Sequence, residues 1–210
     1  MRSPAPETLR HRALLVDLDG VIRHWRMVRD EAIETAHGLP PGGLRRAAFA
    51  PGLVDPAITG RVSDETWRSN IAASLEHAHG APNAAAAVAA WSAHPGEVDE
   101  AVLAIVRACA ASLRVVLVTN ATSRLPHDLQ ALGLARLFHA VVNSSEVGVA
   151  KPDARIFQLA LDRAGVPAAQ ALFVDDTKAN VLAASALGIT SHRFSGHEAL
   201  RSFLRGHGLA

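Results

Sequence analysis

Tyrosine is absent from the chain, and aromatic residues as a whole make up only 4%. Recognition of nucleic acid by stacking bases on aromatic platforms has little to work with in such a composition. Neither sign of charge is in excess: 21 Lys and Arg face 20 Asp and Glu, a formal net charge of +1. Binding to nucleic acid or an anionic membrane through bulk charge needs a basic excess on some face, so neither is expected as a partner. The single Cys, Cys109, excludes an internal disulfide and a multi-cysteine zinc site. It lies in the helical-looking run DEAVLAIVRACAASL, which reads as a buried structural thiol. No stretch approaches the roughly 18 apolar residues of a membrane span. The N-terminal MRSPAPETLRHR has no long apolar segment behind it, so no signal peptide and a cytoplasmic location are expected. Lysine is the last scarcity. Only Lys151 and Lys178 occur, against 19 Arg, so a position that keeps Lys is a candidate for a role Arg does not fill.

What is present is ordinary for a globular protein: 49% hydrophobic and 20% charged residues over 210 positions. That length allows one sizeable domain, or a core with a smaller one inserted. About one residue in five is Ala, which favours helix. Short, continuously apolar, β-branched runs occur at 13–18 (ALLVDL), 114–119 (RVVLVT), 140–143 (AVVN) and 171–175 (ALFVD), with a weaker run at 190–194. Such runs read as strands buried on both faces, hence a parallel sheet. Helical stretches at 123–137, 153–164 and 177–187 alternate with them, which implies βαβ units and a doubly wound, Rossmann-like α/β fold with five main strands. Between the first two strands lie about 95 residues without a convincing strand but with helical segments near 29–38, 42–50, 64–79, 82–93 and 99–112. The expectation is an α/β core over 1–24 and 97–210, carrying an inserted helical cap over 25–96.

Ligands of an open parallel sheet bind beyond the carboxyl ends of its strands. The residues at those ends therefore belong together: Asp17 and Asp19, Thr119 and Asn120, Asp175 and Asp176, with Lys151 a short loop after the third strand. Asp17 and Asp19 are two apart and face one side of an extended chain, and Gly20 allows a tight turn beyond them. Two close carboxylates repel unless a cation lies between them, and a hard divalent ion such as Mg²⁺ resolves the conflict. Asp176 and Thr177 stand where a helix begins, so that pair reads equally as capping or as a second acidic site. Asn180, four residues after Asp176, shares a helix face with it. Lys151 precedes Pro152, a residue favoured in the first turn of a helix. A compact ammonium there suits a point contact with a phosphate oxygen or a carboxylate. The hydroxyl of Thr119 and a free backbone N–H beside it can hydrogen-bond a phosphate oxygen, although Thr-Asn is also ordinary turn chemistry.

DLDGVI, VTN, KPDARIF and VDDTKAN, in that order and each at a strand end, resemble the four motifs of the haloacid dehalogenase superfamily. The resemblance spans residues 13 to about 190, and the helical insertion is similar to the cap of the subgroup that carries it after the first motif. The last motif is most like the branch of sugar-phosphate phosphatases and epoxide hydrolase phosphatase domains. The resemblance implies Asp17 as nucleophile, forming an aspartyl-phosphate, and Asp19 as general acid and base. It implies Mg²⁺ held by Asp17, the carbonyl of Asp19, and Asp176, with Asp175 as ligand or support. Thr119, Lys151 and the N–H groups of Leu18 and Asn120 would hold the phosphoryl oxygens. An acid at Asp19 favours phosphoryl transfer over dehalogenation within the family.

Arg23, His24, Trp25 and Arg26, and the loop of Thr59, Gly60 and Arg61, are the expected specificity elements, with Arg23 or Arg61 free to meet a second anion or to remain solvated. Trp67 and Trp91 read as cap core. The overall expectation is a Mg²⁺-dependent phosphatase of a small phosphorylated metabolite, monomer or homodimer. A phosphomutase and a non-catalytic regulatory or binding member of the same fold are the alternatives.

Overall fold

The computed structural model describes residues 11–80 and 82–209; the reading of the first ten residues lies outside this range. The element order is β1 (Ala13–Val16), β2 (Arg23–His24), α1 (Met27–Ala36), α2 (Gly43–Ala48), α3 (Pro51–Ile58), α4 (Asp64–His79), α5 (Ala84–Ser92), β3 (Glu97–Val98) and α6 (Glu100–Cys109). It continues with β4 (Arg114–Thr119), α7 (Leu125–Ala131), β5 (Ala140–Asn143), α8 (Ser144–Val147), α9 (Ala154–Ala164), β6 (Ala171–Asp175), α10 (Lys178–Ala186), β7 (Thr190–Arg193) and α11 (His197–Arg205).

Five strands form one parallel sheet in the order β5-β4-β1-β6-β7. Alternation along each strand sends neighbouring residues to opposite faces. Leu14 and Val16 of β1, with Leu117, Leu172 and Val174, join side chains of α6, α7 and α11 in one cluster. Ala13 and Leu15, with Val116, Val118 and Phe173, join α9 and α10 in the other. Both faces are therefore apolar, which is why these strands read as unbroken hydrophobic runs.

The helices between β2 and β3 gather on a third cluster of their own. Its spine is Trp67, Ile71 and Leu75 on α4, spaced at four residues so that they share one face. α4 begins at Ser63, whose side chain accepts from the Thr66 N–H, and ends at Gly80 with φ +59°. β2 and β3 pair antiparallel, Arg23 opposite Val98 and His24 opposite Glu97, at the two ends of the helical insertion.

Three features differ from the sequence expectation. The β2–β3 pair is too short for periodicity to reveal. α3 contains Pro56 in its interior, a residue that argues against helix on propensity. Pro152 does not open a helix: α9 starts at Ala154 with Asp153 as its N-cap, and the Lys151–Pro152 peptide is cis.

Cys109 is free and buried on α6, and burial pushes its thiol pKa up. No helix among the described residues is long and apolar enough to cross a membrane. α6 is capped by Asp99, whose side chain accepts from the N–H groups of Ala101 and Val102 at 3.0 Å each. Asp99→Ala should cost about 1 kcal/mol of stability, read by urea denaturation.

Candidate active site

The register sets the carboxyl ends of β1, β4 and β6 side by side, because Val16 pairs with both Leu117 and Val174. Asp17, Thr119 and Asp175 therefore emerge on one edge of the sheet. Beyond Asp17 the chain folds back at once: the carbonyl of Leu18 accepts from the N–H groups of Ile22 and Arg23 at 2.9 and 2.8 Å. Gly20 carries φ +79° in this turn, and a Cβ there would collide with the Asp176 carboxylate. Only Gly serves at such a position, on both counts.

Lys151 is buried at the centre, its side chain 1% exposed, with Nζ 2.7 Å from Asp17 Oδ1 and 2.7 Å from Asp175 Oδ2. Its backbone is pinned by Asn120: Lys151 N–H donates to Asn120 Oδ1 at 2.8 Å, and Asn120 Nδ2 donates to the Lys151 carbonyl at 2.9 Å. Asp175 is fully buried and also accepts from Asn180 Nδ2 at 3.0 Å on each oxygen and from the Thr177 N–H at 2.8 Å. Asn180 thus serves Asp175, and Asp176 lies before α10, which begins at Lys178, rather than on a helix face shared with Asn180; Asp175 rather than Asp176 receives the Thr177 N–H. Asp176 is more exposed, its Oδ1 meeting only the Thr177 hydroxyl at 3.1 Å.

One ammonium cannot neutralise two buried carboxylates. Burial raises the Asp17 pKa, Lys151 pulls it back, and Asp175 raises it again, leaving it at about 7 instead of 3.8. Burial alone would depress the Lys151 pKa, but the facing carboxylates of Asp17 and Asp175 outweigh it and hold it above its ordinary value. The excess negative charge grows with Asp176, since oxygens of Asp17, Asp175 and Asp176 lie within 4.8 Å of one another. This donor set is all oxygen and short of positive charge, so it fits a hard divalent cation such as Mg²⁺. Asp175 is already saturated by donors, so Asp17 and Asp176 are the carboxylates with capacity left. A second feature points to an anion: Thr119 Oγ1 is buried without a hydrogen-bond partner, although buried hydroxyls are ordinarily satisfied.

Several expected residues take other partners. Arg23 is 4% exposed and its guanidinium is occupied. Its Nε and Nη2 grip Asp19 at 2.7 and 2.9 Å, and Nη1 meets Asp128 at 3.1 Å and the Pro95 carbonyl at 3.2 Å. Asp19 and Asp128 thus hold the guanidinium that the sequence leaves free to meet a second anion or to remain solvated. Asp19 also accepts from Trp25 Nε1 at 2.7 Å, so its side chain is held by Arg23 and Trp25 instead of joining the acidic trio. The Leu18 N–H donates to Asp17 Oδ1 at 2.8 Å rather than standing free for a phosphoryl oxygen. His24 lies 3.6 Å from Asp99, and Arg26 pairs with Glu97 at 2.6 Å. Thr59 and Arg61 bond each other locally, and Gly60 abuts the Ser145 carbonyl. None of these three lines the cavity over the site; Ile58 and Phe49 do.

Sequence reading missed the residues that join the helical insertion to the sheet. Asp64, at the start of α4, accepts from the Thr122 hydroxyl at 2.7 Å, and its N–H donates to Ser123 Oγ at 3.0 Å. It also missed Asp128, on which Arg23 and Arg124 converge. Arg124 is only four residues from Asp128, but no local signal marks the contacts of Asp64 and of Asp128 with partners about 60 and 105 positions away.

A family model described as haloacid dehalogenase-like hydrolase matches residues 11–188. The mouse haloacid dehalogenase-like hydrolase domain-containing protein 3 is 39% identical over 94 residues, which cover 44% of this chain and 38% of that protein. A probable phosphoglycolate phosphatase of Pseudomonas savastanoi is 35% identical over 78 residues, 37% of this chain and 49% of that protein. The matched region thus spans less than half the length of these relatives. Among solved structures, a HAD family enzyme of Bacteroides thetaiotaomicron, in complex with magnesium and inorganic phosphate, superposes with a TM-score of 0.71. It is 20% identical over 88% of this chain and 94% of that one.

Proposed function

The chain belongs to the haloacid dehalogenase-like hydrolases, and from that membership and the geometry of its site we propose a Mg²⁺-dependent phosphatase of a small phosphorylated metabolite. The observation that carries the reading is the Lys151 ammonium, 2.7 Å from both Asp17 and Asp175, beside a buried hydroxyl of Thr119 that lacks a partner. A phosphoryl dianion bound among these groups would meet an ammonium and a hydroxyl donor.

In this reading an Asp17 oxygen attacks phosphorus, the P–O ester bond breaks, and the leaving oxygen takes a proton from Asp19. Water then attacks the aspartyl-phosphate, gives up its proton to Asp19, and releases phosphate with Asp17 restored. Delivery of that proton requires the Asp19 carboxyl to leave the Arg23 fork, since both its oxygens are engaged there. Lys151 and Thr119 hold phosphoryl oxygens, and Asn120 keeps Lys151 in place. Asp17, Asp176 and the Asp19 carbonyl would hold Mg²⁺. When bound, the ion supplies positive charge that keeps Asp17 ionised and offsets the phosphoryl oxygens.

Purified protein with Mg²⁺ should hydrolyse p-nitrophenyl phosphate, and EDTA should stop it reversibly. On hexose phosphates the product should be free phosphate. An isomerised sugar phosphate identifies a mutase, and no turnover across a broad ester panel identifies a non-catalytic member.

A further inference from the structure

The cavity over the site has a volume of about 540 Å³, far more than a phosphoryl group fills. Its two ends differ in chemistry. The sheet end carries Asp17, Thr119, Lys151 and Asp176; the end under the helical insertion carries Phe49, Val54, Ile58, Trp67 and Trp91. All three tryptophans of the chain, Trp25 included, line this one space. The aromatic rings form a continuous shelf. Trp91 meets Trp67 edge-on with centroids 5.9 Å apart and Phe49 with centroids 6.5 Å apart. Trp67 is nearly buried, whereas Phe49 is 50% exposed. The Arg45 guanidinium lies over one side of the Phe49 ring, 5.1 Å from its centroid, and the exposed remainder of the ring at the rim of the cluster is surface on which another ring can pack.

The charges of the lining narrow the choice. Four guanidinium groups reach the cavity, and each already has its acid: Arg23 with Asp19 and Asp128, Arg124 with Asp128, Arg68 with Asp64, and Arg45 with Asp30. The distances run from 2.7 Å for Arg68 to 3.5 Å for Arg45. A second carboxylate or phosphate on the substrate finds no unpaired guanidinium among the described residues of the lining. Donors remain on Arg45, whose one contact with Asp30 is 3.5 Å long, and on Arg68, whose Nε has no partner, but the lining already holds six aspartates against four arginines and Lys151, so a second anion would add to an excess of negative charge. An uncharged ring meets no such penalty and covers apolar surface.

We infer that the substrate is a monophosphate ester whose leaving group is a ring-bearing alcohol without a second anionic group, and that Phe49 and Trp91 select it. The inference rests on the phosphatase reading above. Three esters test it: phenyl phosphate, 4-carboxyphenyl phosphate and ethyl phosphate, each with Mg²⁺. The carboxylate makes the phenol a better leaving group, so slower turnover of that ester is not intrinsic. Phenyl phosphate should exceed 4-carboxyphenyl phosphate in kcat/KM by at least about tenfold. Phe49→Ala should lower the phenyl-to-ethyl ratio of kcat/KM by about tenfold, mostly through KM, in a protein whose thermal unfolding shows it folded. Equal or faster turnover of the carboxylated ester, or an unchanged phenyl-to-ethyl ratio in Phe49→Ala, overturns the inference while leaving the phosphatase reading intact. Turnover of none of the three overturns the phosphatase reading itself. Titration calorimetry with phenyl phosphate then judges the shelf alone: binding weakened by Phe49→Ala keeps it, and equal binding to both proteins removes it.

Discussion

Asp17→Asn should abolish phosphate release, lowering kcat by on the order of 10⁵-fold, while making the metal-free protein more stable. The amide keeps the shape of the carboxyl and an oxygen for the Lys151 ammonium at Oδ1, so the site should stay assembled. It cannot form the covalent phosphoryl bond. The stability gain follows from charge count, because the amide leaves Lys151 paired one to one with Asp175. Asp17 titrates at about 7 in the folded protein against 3.8 in an unfolded chain. A raised carboxyl pKa means the folded state holds the proton more tightly, so stability is lost as pH rises from about 4 to 7. The amide has no proton to lose. Its advantage over the natural residue should therefore appear across that window and reach at most about 4 kcal/mol above it. Urea denaturation in EDTA at pH 5 and pH 8 measures this. Mg²⁺ should narrow the difference at pH 8, because it stabilises the ionised Asp17. Phosphatase activity that survives Asp17→Asn would remove Asp17 from the role of nucleophile.

Lys151→Met should fail in the opposite way, losing activity and stability together. The thioether chain occupies similar space but leaves Asp17 and Asp175 facing each other without the ammonium that bridges them at 2.7 Å. Removing one partner of a buried ion pair costs about 3–5 kcal/mol. The Lys151 pKa is raised, so its contribution is complete below 10.5 and is lost only as pH rises through the still higher folded value. The destabilisation should accordingly be present throughout the neutral range. Loss of the cation that faces phosphoryl charge should lower kcat by on the order of 10³-fold. Added Mg²⁺ should raise the Tm of Lys151→Met more than that of the natural protein, since a second cation then relieves the same repulsion. Arg should not substitute, because the side chain is 1% exposed and a planar fork is wider than the space between two carboxylates. A Tm equal to that of the natural protein without Mg²⁺ would show that the carboxylates do not depend on Lys151.

The sheet was legible because burial on both faces writes itself into every strand as an unbroken apolar run, and all five runs became strands at nearly the expected bounds. The helix α4 was legible because its apolar face, Trp67, Ile71 and Leu75, repeats every four residues. The same locality explains the failures. β2 and β3 contribute two residues each and exist only because the chain meets itself 73 to 75 positions later. Pro56 sits within α3, whose Ala57 packs into the cluster of the inserted helices, so packing outweighs a propensity that forbids it.

The site divides along the same line. Sequence alone determined which residues end the strands, Asp17, Thr119 and Asp175, because a parallel sheet must deliver its strand ends to one edge. It also marked Lys151, one of only two lysines in the chain. Tertiary structure decided how those groups are used. Asp175 became the holder of Lys151, because Asn180 and the Thr177 N–H saturate it. Asp19 was drawn to Arg23, and Arg23 was paired as well with Asp128, 105 positions away. The physical reason is that strand and helix preferences are set by neighbours in sequence. The pairing of buried charges is set by which groups share a space from which water has been excluded.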